Sequence, residues 1–307
     1  MSKKVILFGC QAISIEILKF LRAQSDVEVV KVITYEVVAD ISRGQESIKK
    51  VAADMGIEVS SPSRISSELV EEIKNIQPDL IISAYYRKIF PKKLIDIPRL
   101  GIINIHPSLL PHYRGPVPTA WAILNGESEF GITIHKVDIG IDTGDILVQA
   151  CYQIGDDETG FELYLRAMAL GARLFNENFR QIIENRIVAT KQPNGGSYYG
   201  KLKTRTILDW KQSAEMIKNN VRIRAHPYNP IESILDNKYF FINKVVVVDN
   251  HDFPIQIPGR ILKVADDDTF FVSCSDGIVH VLDYGVYPPF TDIEKKLYLK
   301  PGRTFDE

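Results

Sequence analysis

Val5, Ile6, Leu7 and Phe8 follow one another without a polar residue and end on Gly9. So short and unbroken a run belongs in a strand buried on both faces, as in a parallel sheet covered by helices on either side. Ile13, Ile17, Leu18 and Leu21 then recur at helical spacing, and residues 27–34 (VEVVKVIT) read as a second strand. This strand–helix–strand opening predicts an α/β fold, a Rossmann-like, doubly wound and mostly parallel sheet. Only Gly9 stands at the first turn, so the glycine fingerprint of a dinucleotide site is missing. Residues 79–84 (DLIISA) read as the next buried strand. Tyr85, Tyr86, Arg87, Lys88 and Ile89 then fall at its carboxyl end, the edge where open α/β sheets bind ligands.

Residues 101–149 carry the chemistry. Ile102, Ile103 and Ile105 make another apolar strand, interrupted by Asn104 and His106, which point to the same side of it. Pro107, Pro111, Pro116 and Pro118 stiffen the loop that follows. After a strand-like GITIHKVD comes a glycine-bracketed acidic turn, GIDTGD, holding Asp142. An amide, an imidazole and a carboxylate suit acyl transfer to an amine. The tetrahedral centre needs a donor for its oxyanion, the attacking amine must lose a proton, and a carboxylate can orient the imidazole. Arg114 is a fixed cation beside them, open to two roles: receiving an anionic group or anchoring the loop.

Further on, residues 159–184 form one amphipathic helix with Leu163, Leu165, Met168, Leu170, Leu174, Phe175 and Ile182 toward the core. Gln192-Pro193-Asn194-Gly195-Gly196 breaks regular structure and marks a boundary. Residues 213–225 have a helical pattern ended by His226-Pro227. The tail is a series of short β-rich runs split by Asp, Asn, Gly and Pro, which predicts a small barrel. We divide the chain into a catalytic domain at 1–195, a linker at 196–208 and a C-terminal domain at 209–307. Those tail strands offer a route to pairing two copies as a homodimer.

NIHPSLLPHYRG followed by DIGIDTGDIL resembles the signature of the formyltransferases that use 10-formyltetrahydrofolate. The resemblance covers roughly the first two thirds of the chain. It implies that Asn104, His106 and Asp142 are the catalytic trio and that 10-formyltetrahydrofolate is the co-substrate, with no metal. It implies also that the backbone of Lys88, Ile89 and Phe90, with Asp138, Ile139, Gly140, Ile141 and Asp142 on the facing loop, holds the pterin. Tyr85 and Arg114 are the candidates for the acceptor side. The C-terminal domain is expected to be an OB-like barrel. RGPVP stands where related enzymes often have RGAAP or RGRAP.

The acceptor is narrowed by charge. With 37 Lys and Arg against 39 Asp and Glu, the formal net charge is −2, which makes no electrostatic case for nucleic acid. Methionyl-tRNA formyltransferases carry a longer basic insertion near residues 36–50, where this chain has the mixed charges Asp40, Arg43, Glu46, Lys49 and Lys50. Asp249, Asp252, Asp266, Asp267, Asp268, Asp276 and Asp283 make the tail loops acidic, a poor surface for phosphates. Lys201, Lys203 and Arg205 read as a solvated linker strip. SAYYRKIFP, LLPHYRGPVP and the short second loop look most like the branch that formylates nucleotide-linked amino deoxysugars, including the formyltransferase part of the lipid A aminoarabinose enzyme. Methionyl-tRNA formyltransferase is the alternative. Glycinamide ribonucleotide formyltransferases resemble a single catalytic domain and would not need the residues after 208. A folate- or nucleotide-binding sensor would have no use for the trio. Cys10, Cys151 and Cys274 match no disulfide or zinc spacing and are expected as buried small hydrophobes of a reducing cytoplasm. The N-terminal apolar run is too short for a signal peptide or a membrane span.

Overall fold

The computed structural model describes residues 2–35, 46–248 and 257–306. Of the mixed-charge stretch, Asp40 and Arg43 lie outside the described residues, as do Asp249 and Asp252 of the tail. The chain divides into two compact units, one of Met1–Thr119, Glu129–Gln153 and Leu165–Gly200, the other of Ala120–Ser128, Ile154–Tyr164 and Lys201–Glu307.

The first unit is built on a seven-stranded sheet. Its strands are β1 (Lys3–Gly9), β2 (Val27–Ile33), β3 (Glu58–Ser60), β4 (Leu80–Ala84), β5 (Ile102–His106), β6 (Glu129–Lys136) and β7 (Ile146–Gln153). They lie in the order β3-β2-β1-β4-β5-β6-β7. The first five pair in parallel, as the apolar runs predict; β6 runs antiparallel to β5, and β7 antiparallel to β6. The strand order switches hand at β1, between β2 and β4, the place where such sheets open a crevice for ligands.

Helices α1 (Gln11–Arg22), α2 (Ile48–Asp54), α3 (Ser67–Ile76) and the turn α4 (Lys92–Ile95) belong to this unit. One core joins Ile6, Phe8, Ile33, Ile73, Ile81, Tyr86 and Phe90, with the Phe8 ring 5.1 Å from both Tyr86 and Phe90. On α1, Phe20 meets Phe175 and Phe179 of the long helix α6 (Gly160–Ile183), edge to face. Most of the expected apolar face of α6 is buried, but Leu165 turns outward at 38% exposure. Helix α5 (Pro118–Leu124) lies between β5 and β6 in the chain.

The second unit holds α7 (Ala214–Arg222), β8 (Ile231–Leu235), β9 (Lys238–Val248), β10 (Ile261–Val264), β11 (Phe270–Ser273), β12 (Ile278–Tyr287) and α8 (Asp292–Tyr298). The strands form an antiparallel sheet in the order β10-β11-β12-β9-β8 around Trp210, Ile217, Phe240, Phe270 and Phe305. Among the described residues no strand ladder closes this sheet into the expected barrel. The tail reaches both edges instead. Ile261 donates to the Arg303 carbonyl at 2.8 Å, and Asp306 donates to the Ile234 carbonyl at 2.8 Å. Edge groups that would otherwise invite another chain are thereby met. Cys10 and Cys274 are buried as expected, but Cys151 is exposed because it lies on the edge strand β7.

Candidate active site

Alternation along β5 puts Asn104 and His106 on one face of the sheet, and the reversal at β6 brings a third side chain to them. His135 stands directly opposite Asn104 in the antiparallel pair, as Thr133 stands opposite His106. The Asn104 Nδ2 lies 3.2 Å from His135 Nε2. Residues 137–145 then connect β6 to β7 and fold back to deliver Asp142. Its Oδ1 is 3.5 Å from Asn104 Nδ2, and its Oδ2 is 3.6 Å from His106 Nδ1. The structure therefore brings Asn104, His106 and Asp142 together, and adds His135, whose Nε2 is 3.7 Å from Asp142 Oδ1.

Hydrogen-bond partners fix the proton positions. His106 Nε2 lies 2.9 Å from the Tyr113 carbonyl, which only accepts, so Nε2 carries a proton and Nδ1 faces the carboxylate. His135 Nδ1 lies 2.8 Å from the Lys136 carbonyl and must likewise donate. Burial pushes the His135 pKa down to about 4; Asp142 pulls it back up, and His106 adds to the lowering. His135 is thus neutral near pH 7, its Nε2 lone pair accepting one Asn104 amide proton. The second Asn104 proton points at Asp142 over a long, weak 3.5 Å. Asp142 Oδ2 also accepts the Gly115 N–H at 2.9 Å.

The Asp142 turn is itself held. Asp138 Oδ1 accepts from Gly140 N–H at 3.0 Å and from Thr143 Oγ1 at 2.6 Å. Gln192 Nε2 donates to the carbonyls of Asp142 and Gly144, each at 2.8 Å. A Cβ on Gly144 would fall 1.8 Å from the Lys136 carbonyl oxygen, so only glycine lets the turn approach that strand so closely. Asp142 (φ 54°), Tyr113 (φ 59°), Val117 (φ 53°) and Tyr85 (φ 57°) all hold left-handed backbone. Such strain in non-glycine residues gathers where structure is bent to function.

The remaining expected residues separate. Ile89, Ile139 and Ile141 are 71%, 76% and 44% exposed, leaving apolar side chains uncovered on two segments. Phe90 is buried in the core, so only its backbone is free to meet a ligand. Lys88 donates to the Pro62 carbonyl. The Tyr85 carbonyl accepts from Tyr35 Oη at 2.9 Å and from Cys10 Sγ at 3.3 Å. Tyr86 is wall packing, its hydroxyl pushed up to about 12 by burial. Among the described residues no carboxylate pairs with Arg114; its Nη2 donates to Gln192 Oε1 at 2.8 Å. Sequence reasoning missed His135 and Gln192. A histidine inside the apolar strand GITIHKV was a signal for the first; Gln192 acts through backbone carbonyls and left none.

Among the described residues no cluster of three His, Cys, Asp or Glu could hold a metal ion, and no helix is long and apolar enough to cross a membrane. A sequence model of the formyl transferase family matches residues 3–178, and one of the formyl transferase C-terminal domain matches residues 201–284. The methionyl-tRNA formyltransferase of Ruminiclostridium cellulolyticum is 35% identical over 237 residues, 76% of this chain and 75% of that protein. That of Citrifermentans bemidjiense is 37% identical over 242 residues, 76% of this chain and 74% of that protein. By fold, the sugar 3N-formyltransferase WlaRD, solved with dTDP and 5-N-formyl-THF, superposes with a TM-score of 0.73 at 24% identity, over 94% of this chain and 100% of that one. An N-formyltransferase from Helicobacter canadensis, in complex with folinic acid and dTDP-3-aminofucose, gives 0.74 at 23% identity over 93% and 100%. With both domain models matched in order and relatives above one-third identity over three quarters of its length, the chain belongs to the formyl transferase family and is a formyltransferase.

Proposed function

We propose that this formyltransferase moves the formyl group of 10-formyltetrahydrofolate to the amine of a nucleotide-linked amino deoxysugar. The observation that carries the reading is Asp142 standing 3.5 Å from Asn104 and 3.6 Å from His106. The neutral amine attacks the formyl carbon and the carbonyl oxygen becomes an oxyanion. Asn104 keeps one amide proton on His135 and offers the other, only loosely held by Asp142, to the oxyanion. His106 holds its Nε2 proton on Tyr113, so Nδ1 is the atom left to take the proton of the amine. The new N–H then lies against Asp142, which balances the imidazolium charge. As the oxyanion collapses, the bond to the folate nitrogen breaks, the His106 imidazolium gives that nitrogen the proton taken from the amine, and tetrahydrofolate leaves.

In this reading the exposed Ile89, Ile139 and Ile141 cover the faces of the pterin, and the backbone of 88–90 and 138–142 meets its edge. Tyr85 and Arg114 belong to the acceptor side, and residues 1–195 are the catalytic domain. Substrates of this kind are those of the cytoplasm.

Charge favours a small acceptor. Residues 201–307 hold 15 Lys and Arg against 15 Asp and Glu, so they offer no cationic excess to a polyanion. The two solved sugar N-formyltransferases also match nearly the whole chain. The second reading, methionyl-tRNA formylation, is favoured by relatives of that name at 35–37% identity. The deciding experiment incubates the protein and its His106→Ala variant with 10-formyltetrahydrofolate. One arm adds aminoacylated initiator tRNA, the other a set of UDP-, dTDP- and GDP-linked amino sugars. Formylation of a sugar by the wild type alone is expected; formylation of tRNA alone would replace the preferred acceptor by the second.

A further inference from the structure

The residues that follow α6 return to the site. Thr190 exchanges both backbone hydrogen bonds with Ile146 at 2.7 and 2.8 Å, which pins this segment to the start of β7. Ser197 N–H donates to the Pro111 carbonyl, Arg114 N–H to the Ser197 carbonyl and Tyr199 N–H to the Arg114 carbonyl, at 3.2, 2.9 and 3.0 Å. Tyr113 N–H donates to Ser197 Oγ at 2.9 Å, and its ring stacks on Tyr199 with centroids 5.1 Å apart. One strap, residues 190–199, therefore grips the loop whose Tyr113 carbonyl receives the His106 proton.

Gln192 gives the strap its second hold. Both protons of its amide go to the Asp142 turn, one to each carbonyl flanking Thr143, and its oxygen accepts from Arg114 Nη2. The side chain is thus spent on both sides of His106. Its nitrogen fixes the turn that aims Asp142 at Nδ1, and its oxygen fixes the arginine next to Tyr113. The turn needs such a tie, because Asp142 sits in left-handed backbone that an aspartate leaves readily (φ 54°). No group of Gln192 is directed at the reacting atoms.

We propose that Gln192 is a positioning residue for formyl transfer: it holds Asp142 and the Arg114 loop at fixed distances on either side of His106. The inference rests on the role given to Asp142 above. It predicts that losing Gln192 lowers turnover through Asp142, and acts on acceptor binding only through the released Arg114.

The test compares Gln192→Met, which keeps the length but neither donates nor accepts, in the wild-type and Asp142→Asn backgrounds. Tetrahydrofolate release is measured in the steady state with the acceptor that the wild type formylates, and Tm is recorded for each variant. In the wild-type background kcat is expected to fall roughly 10–100-fold with Tm nearly unchanged, whereas Gln192→Glu, which keeps the acceptor for Arg114, should leave the acceptor KM within about threefold. In the Asp142→Asn background the same substitution should change turnover by less than about twofold, because the aim it preserves no longer matters. Equal losses in the two backgrounds would mean a merely structural role and overturn the proposal, as would an unchanged kcat. Gln192→Glu carries the test if the methionine variant does not fold. It retains the acceptor for Arg114 but opposes a carboxylate to two carbonyls, and wild-type turnover from it would equally overturn the proposal. Wild-type turnover from Asp142→Asn alone would instead remove the reading on which the inference stands.

Discussion

Asn104 has two amide protons, and His135 holds only one of them firmly. The other is what the carboxamide can offer a developing oxyanion, so Asn104→Ala should lower kcat on the order of 10²–10³ while the protein stays folded, as steady-state kinetics beside a melting curve would show. His135 makes a separate prediction. Its pKa near 4, against an ordinary 6.5, means that the unfolded chain binds a proton the native chain refuses between those values. The contribution of the neutral imidazole to stability is therefore complete above pH 6.5 and is lost as the pH falls toward 4, on the order of 3 kcal/mol. Urea titrations across that range should show this slope in the wild type and a shallower one in His135→Gln. Asn104, His106 and Asp142 are legible in sequence because polar residues inside an apolar strand, and an acid between glycines, have few other reasons to be there. His135 is half legible, a histidine among isoleucines whose partner only pairing reveals. Gln192 is not legible at all, since it speaks to carbonyls, which every residue has.

At the level of elements, the parallel strands and the long helix are readable because their apolar spacing is that of the final structure. What spacing cannot show is where a strand turns back. The reversal at β6 places His135 across from Asn104, yet the run GITIHKV would look the same in either direction. The β-rich tail is likewise readable as short strands, but the backbone bonds by which residues 303–306 meet its edges are announced by no side-chain pattern. The turn between β6 and β7 gives a sharp test. Gly144→Ala would set a methyl group 1.8 Å from the Lys136 carbonyl, with backbone on both sides and nothing soft to yield. A loss of about 1–3 kcal/mol in denaturant unfolding is expected, with a fall in turnover as the carboxylate is displaced.

For the molecule as a whole, a formal charge of −2 and an even balance over residues 201–307 set the expected response to salt. A sugar nucleotide presents two phosphates, so its KM should rise less than about tenfold between 50 and 200 mM salt. A polyanion held through six to ten phosphates would lose roughly 10³–10⁵ in affinity over that span. A steep salt dependence of turnover would therefore speak for tRNA before any product is identified. The antiparallel pairing of β5 and β6 has one more consequence. Asn104 and His135 meet as a rung of a ladder whose steps alternate in direction, so one residue gained or lost between Glu129 and His135 would swing the imidazole to the sheet's other side. Two would bring it back one rung out of place. In those seven residues the count matters as much as the chemistry, and adaptation to a new acceptor has only the loops to work with.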